Sequence, residues 1–225
     1  DIWIQHPARG TPRALLVFLD GEFYRDRIQA HEIAADLQER GEIVPALVAF
    51  VSHASLDARW VECPCHPPFA AFLLQEFVPW LERLHPESAT VPERVLTGLS
   101  YTGLAASFVA LHPESPFTAI MSQSGSYWWN DGWLTRQFKE LHERRSVRFL
   151  LNVGARETQT HVRHRDDVIQ TTPQIDGVRG FRDALHQRGY AVDYREFDGG
   201  HEFTWWKQTL PDMLRRALNP ARPEP

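Results

Sequence analysis

Short unbroken apolar runs alternate along the chain with longer stretches in which apolar residues recur every three or four positions. Residues 14–19 (ALLVFL) form one such run, ending at Asp20-Gly21, the pattern of a strand buried on both faces. Helical spacing follows, with Ile28, Ile33 and Leu37 separated by polar residues. Residues 46–51 make the next buried run. Residues 69–84 return to helical spacing, with Pro79 placed to kink or divide the helix. A short strand at 94–98, a helix of small residues at 104–111 and another short strand at 119–121 come next. Residues 147–153 are apolar and stop at Gly154. Residues 181–189 read as a helix closed by Gly189, 191–197 as an alternating strand, and 203–218 as a final amphipathic helix that Pro211 is placed to kink or restart. This order predicts an α/β fold, a doubly wound, mostly parallel sheet with helices on both faces. Residues 131–146 and 157–177 are polar and poorly periodic, and read as variable or mobile loops above the sheet.

The 225 residues suit one domain (1–225), with 219–225 a frayed tail. With 43% hydrophobic and 24% charged residues, such a chain buries enough apolar surface to fold without a disulfide or metal staple. A net charge of −5 argues against a broad electrostatic grip on nucleic acid or on an anionic membrane, and no apolar run is long enough to span a bilayer. Cys63 and Cys65 stand too close for an unstrained bridge. Two free thiols mildly favour a cytoplasmic setting, and a periplasmic one stays open because the sequence opens at Asp1 without Met, compatible with a removed leader or upstream domain. Oligomeric state is not legible.

The chemistry gathers where predicted strands end. Gly98-Leu99-Ser100-Tyr101-Thr102-Gly103 follows a strand and opens a helix, close to the G-x-S-x-G turn that lifts a nucleophilic serine above a sheet. The strict motif has glycine where this chain has Thr102. The backbone N–H of Tyr101, at the helix start, is one candidate oxyanion donor. Gly21 or Glu22, in the loop after the first predicted strand, supplies the other. A serine hydroxyl needs a base, and His201, in Asp198-Gly199-Gly200-His201 between the last strand and the last helix, lies at the same sheet edge. Glu157, just past the strand ending at Gly154, is the candidate orienting acid, with Asp166 and Asp167 as alternatives. The order Ser, acid, His is that of α/β-hydrolases. His161, His164, Cys63, Cys65 and His66 match no zinc spacing, so neither a metal nor another cofactor is expected. Eight tryptophans are many for this length. The cluster of Tyr127, Trp128, Trp129, Trp133, Trp205 and Trp206 reads either as core packing or as an aromatic wall for a ring-bearing ligand.

From about Leu15 to Leu218 the chain resembles the enterochelin (enterobactin) esterase family of α/β-hydrolases, near the broader esterase D group. The resemblance rests on Leu19-Asp20-Gly21, on Arg59-x-x-Glu62 followed by Pro64-Cys65, and on the run from Ser122 to Trp129. Gly154-x-Arg156-Glu157 and Asp198-Gly199-Gly200-His201 with Trp206 complete it. It implies a serine esterase with Ser100 as nucleophile, His201 as base and Glu157 as acid. It also implies Arg59 and Glu62 in the substrate pocket and a small-molecule ester substrate, a catecholate siderophore such as enterobactin or its ferric complex. Arg59, Arg156 and Arg163 are the cations suited to such an anion, and His66, Tyr127 and Trp128 are further candidate substrate contacts. Three features depart from the family pattern: Thr102 in place of glycine, His66 in place of the usual Asn, and the separate N-terminal domain of larger members, which is not in this sequence. These departures bear on the substrate more than on the chemistry, leaving open a carboxylesterase or acyltransferase acting on other small or aromatic esters, or a binding protein without catalysis.

Overall fold

The computed structural model describes residues 1–219. The strands are β1 (Ile2–Gln5), β2 (Ala14–Leu19), β3 (Ala46–Val51), β4 (Glu93–Leu99), β5 (Ala119–Gln123), β6 (Arg148–Gly154), β7 (Val162–Arg165), β8 (Val168–Gln170) and β9 (Val192–Phe197). The helices are α1 (Gly21–Phe23), α2 (Ala30–Glu39), α3 (Leu56–Glu62), α4 (Pro67–Ala71), α5 (Val78–Leu84), α6 (Ser100–Val109), α7 (Trp129–Glu140), α8 (Gln174–Gln187) and α9 (Phe203–Ala217). Seven strands form one sheet in the order β1-β3-β2-β4-β5-β6-β9, parallel except for β1.

The unbroken apolar runs form the centre of this sheet because helices cover both faces. Along β2 the side chains alternate between two cores. Leu15, Val17 and Leu19 pack with residues of α5, α6 and α8, whereas Ala14, Leu16 and Phe18 pack with residues of α2 and α9. Every residue of β2 and β3 is buried. The doubly wound α/β fold expected from the pattern is therefore the fold observed. All parallel strands end at one edge, and the loops leaving β2, β4, β6 and β9 carry Gly21, Ser100, Glu157 and His201.

Three readings of the pattern need correction. β1 is a short, half-buried antiparallel edge strand, pairing Ile2 to Gln5 with Val51 to Val48 on one side only, so no buried run marks it. The segment 157–177 is not all loop. It holds the β7–β8 hairpin, and α8 starts at Gln174, well before residue 181. Within 131–146 lies most of α7, which the pattern hides because Asn130, Asp131 and Gly132 interrupt it with positive φ. Pro79 does stand at the start of α5, after a wider turn at Phe72–Phe77. By contrast α9 runs on through Pro211, held by Leu210, Met213 and Leu214, which are fully buried against the sheet. The end of the expected tail, 220–225, lies outside the described residues. Among the described residues no helix is long and apolar enough to cross a membrane.

Candidate active site

The passage from β4 into α6 is a tight elbow. Ser100 has φ 50°, a left-handed conformation that a non-glycine residue holds only when its surroundings over-determine it. Two glycines allow the close packing around it. A Cβ on Gly98 would stand 2.2 Å from the Thr102 carbonyl oxygen, and one on Gly103 would stand 2.5 Å from Ser122 Oγ. Thr102 does not crowd the turn, because its buried hydroxyl folds back onto Leu99 at the base of the elbow. Its hydroxyl accepts the Leu99 N–H at 2.9 Å and lies 2.8 Å from Asp20 Oδ2.

Ser100 Oγ lies 3.0 Å from His201 Nε2 and 3.3 Å from Ser126 Oγ. On the other side of the ring, His201 Nδ1 lies 2.6 Å from Glu157 Oε2. The Glu157 side chain is almost wholly buried, and its remaining oxygen is satisfied. Oε1 accepts the Gly154 N–H at 2.7 Å and the Ser124 hydroxyl at 2.6 Å, and Ser124 Oγ in turn accepts the Trp206 indole N–H at 3.1 Å. Trp206 also meets the His201 ring edge-on, at 4.8 Å between centroids. The carboxylate is thereby fixed in orientation before it meets the imidazole, and the imidazole is held on two sides. Asp166 and Asp167 sit exposed at the tip of the β7–β8 hairpin, away from this relay.

Tyr101 is the second residue of α6, among the first amides of a helix, which have no partner within it. At α1 the N–H groups of Phe23 and Tyr24 both donate to the Asp20 carbonyl, so the Gly21 and Glu22 amides precede the bonded turn. Burial pushes the Glu22 carboxyl up from its ordinary range, with the charge of Asp20 acting in the same direction.

Beneath these loops lies a buried ionic cluster. Arg59 donates to both oxygens of Asp20, at 2.6 and 2.7 Å, and Asp20 is fully buried. His53 Nε2 lies 3.4 Å from Asp20 Oδ1 and 3.5 Å from Cys63 Sγ, while His53 Nδ1 meets Glu62 at 2.5 Å. Burial opposes the charge on Asp20, but Arg59 and His53 outweigh it and hold this carboxyl below its usual value. Burial likewise works against a charged His53, yet hydrogen bonding to Asp20 and Cys63 raises it to about 11. The sign of the linkage is then fixed. The folded chain keeps a proton that the unfolded chain releases above pH ~6.5, so this contribution to stability is complete below that pH and lost as pH rises toward 11. Urea unfolding of the native chain is expected to show a midpoint that falls between about pH 7 and 10, and His53→Gln should flatten that slope.

This arrangement changes the expected placement of several side chains. Arg59 is paired with the buried Asp20 through Nε and Nη2, which compensates its charge, and it does not border the space beside His201. Glu62 and His66 border a separate hollow with Asp1 and Phe72, not the space beside His201. Tyr127 is core: it is fully buried, stacked on Phe181 and bonded to Ser107. Arg163 points to solvent on the hairpin. The open space is a cleft of about 370 Å³ bordered by Arg156, His164, Gln170, Gln174, His201 and Trp205, among others. Arg156 is exposed there and pairs with Asp198 at 2.8 Å. Trp128 backs the cleft, stacked on His164 at 5.1 Å and donating its indole N–H to Gln174. His6, His85 and Glu87 bring three ligand atoms within 4.8 Å of one another, and none of them belongs to the relay or the cleft.

A family model described as "Putative esterase" matches residues 3–217. The chain belongs to this esterase family. The iron(III) enterobactin esterase of Escherichia coli K12 is 27% identical over 222 residues, covering 95% of this chain and 52% of that protein. The crystal structure of the enterobactin esterase from Shigella flexneri in the presence of enterobactin superposes with a TM-score of 0.83 at 26% identity, covering 96% of this chain and 54% of that one. A ferulic acid esterase shares the fold, with a TM-score of 0.71 at 16% identity. The chain spans about half the length of the curated relatives it matches.

In this esterase-family chain, several residues that shape the site gave little sequence signal. Ser124, which fixes Glu157, stood inside a motif noticed only for its likeness. His164, Gln170 and Gln174 come from the segment read as loop, and their role appears only once the hairpin folds against Trp128. The pairing of Asp20 with Arg59 joins residues 39 apart in sequence, beyond any local pattern.

Proposed function

We propose that this chain is a serine carboxylic-ester hydrolase, with Ser100 as nucleophile, His201 as general base and Glu157 as the orienting acid. The observation that carries the reading is the continuous Ser100–His201–Glu157 relay, at 3.0 and 2.6 Å, on the strand-end edge of the sheet. His201 Nε2 takes the Ser100 proton as Oγ attacks the ester carbonyl. Glu157 keeps the other ring proton on Nδ1 and stabilises the imidazolium. The Tyr101 N–H and the Gly21 or Glu22 N–H receive the oxyanion. His201 then gives its proton to the leaving alkoxide. Water, deprotonated by the same ring, attacks the acyl-enzyme carbonyl and frees the acid and Ser100.

For the substrate we propose a catecholate siderophore ester such as enterobactin, free or ferric. The likeness to enterobactin esterases over nearly the whole chain supports this, as does the Trp128–His164 stack behind the cleft. A second reading, a small or aromatic ester of lower charge, draws on a specific observation: Arg59 is neutralised by Asp20 and Arg156 by Asp198, which leaves little uncompensated positive charge for a ferric catecholate anion. Mass spectrometry of enterobactin, with and without iron, separates the two. The first reading expects stepwise uptake of water and release of dihydroxybenzoyl-serine, abolished when a fluorophosphonate has labelled Ser100. Turnover of a simple aryl ester alone establishes the second. Absence of both, with no phosphonate on Ser100, overturns the hydrolase reading.

A further inference from the structure

The loops bearing the nucleophile and the oxyanion donors leave neighbouring parallel strands, β4 and β2. Both contain a strained residue at the strand end: Ser100 has φ 50° and Asp20 has φ 54°. A single buried hydroxyl joins them. Thr102 Oγ1 accepts the N–H of Leu99, the residue before the nucleophile, at 2.9 Å. It also lies 2.8 Å from Oδ2 of Asp20, the residue before Gly21. The hydroxyl has one proton and two acceptors in reach, Asp20 Oδ2 and the Leu99 carbonyl, each at 2.8 Å. The ionised carboxylate is the stronger acceptor and takes it. Asp20 cannot swing to meet the hydroxyl elsewhere, because Arg59 holds both its oxygens and the residue is fully buried.

We infer that Thr102 is a positioning residue, which through Asp20 fixes the spacing between the Ser100 elbow and the Gly21–Glu22 oxyanion amides. This rests on the serine-hydrolase reading above. The glycine usual at this position has no side chain to make the bond, so the departure from the strict motif adds a tie that the motif itself lacks. The tie touches neither substrate nor reacting atoms. Its effect falls on the transition state, where the carbonyl oxygen must reach both amides while its carbon bonds to Oγ.

The test compares Thr102→Val, which keeps the shape and removes the hydroxyl, with Thr102→Ser, which restores it. Steady-state hydrolysis of p-nitrophenyl acetate and the rate of Ser100 labelling by a fluorophosphonate are read beside thermal melting. Thr102→Val is expected to lower kcat about 10- to 100-fold and to slow labelling in parallel, with KM within about twofold of wild type. Thr102→Ser is expected to stay within about threefold of wild-type kcat. A purely structural role would lower the melting temperature without separating kcat from KM. Should Thr102→Val fail to fold, Thr102→Ala replaces it with the same expected loss. A folded hydroxyl-free variant with kcat within twofold of wild type overturns the inference and leaves the hydrolase reading standing. So does a serine variant as impaired as the valine one. A wild-type chain inert to both ester and fluorophosphonate overturns both.

Discussion

Ser100→Ala is expected to reduce ester turnover by roughly a millionfold while leaving the fold intact. The change removes one atom from a partly exposed position, and the contacts that hold the elbow belong to its neighbours. Leu99 stays bonded to Thr102, and Ser126 N–H stays bonded to the residue 100 carbonyl at 3.0 Å. His201 keeps Glu157 and its edge contact with Trp206. Stopped-flow or end-point assay with an activated aryl ester, beside circular dichroism and calorimetric melting, checks both halves of the expectation. Turnover retained within tenfold in the alanine variant would remove Ser100 from the reaction.

Glu157→Gln is expected to lower kcat about ten-thousandfold. The reason lies in the asymmetry of the carboxylate's surroundings. Oε1 accepts two donors, the Gly154 N–H and the Ser124 hydroxyl, so the amide oxygen of a glutamine takes that side. Its NH₂ group then faces His201 Nδ1 and makes that nitrogen an acceptor. The ring proton moves to Nε2, where it points at Ser100 and cannot be exchanged for the serine's own. The pH–rate profile and kcat of the variant check this, with phosphonate labelling showing whether Ser100 survives as a nucleophile. Wild-type kcat in Glu157→Gln would mean that another group orients the base.

What the sequence made legible was whatever repeats or runs without interruption. β2 and β3 are buried on both faces, so their apolar runs stand out, and the end of each such strand marks a loop at the chemical edge. Ser100, Glu157 and His201 were named on this ground, each just beyond a readable strand, and the structure brings Ser100 and Glu157 within hydrogen-bond reach of His201. β1 and the β7–β8 hairpin escaped because their strands are only three or four residues long and their side chains are mostly half-covered or exposed, too short for a run or an alternation to stand out. The pairing of Arg59 was hidden for a different reason. An arginine's partner is set by tertiary packing, and nothing local reveals that its charge is spent on Asp20. Tyr127 was misplaced in the same way, since an aromatic beside a pocket and an aromatic beneath it share one local pattern.

The excursion between β6 and α8 is pinched shut at its base, where Ile175 N–H donates to the Glu157 carbonyl at 3.2 Å. The acid's own anchors, Gly154 and Ser124, lie outside that neck. Residues 158–173 therefore form a cassette whose length and lining are expected to vary without disturbing the relay, provided Gln174, whose amide donates to the Ser124 carbonyl, stays in place. Altered substrate preference in this scaffold is then expected to arise by exchanging the hairpin, with Ser100, His201 and Glu157 kept unchanged.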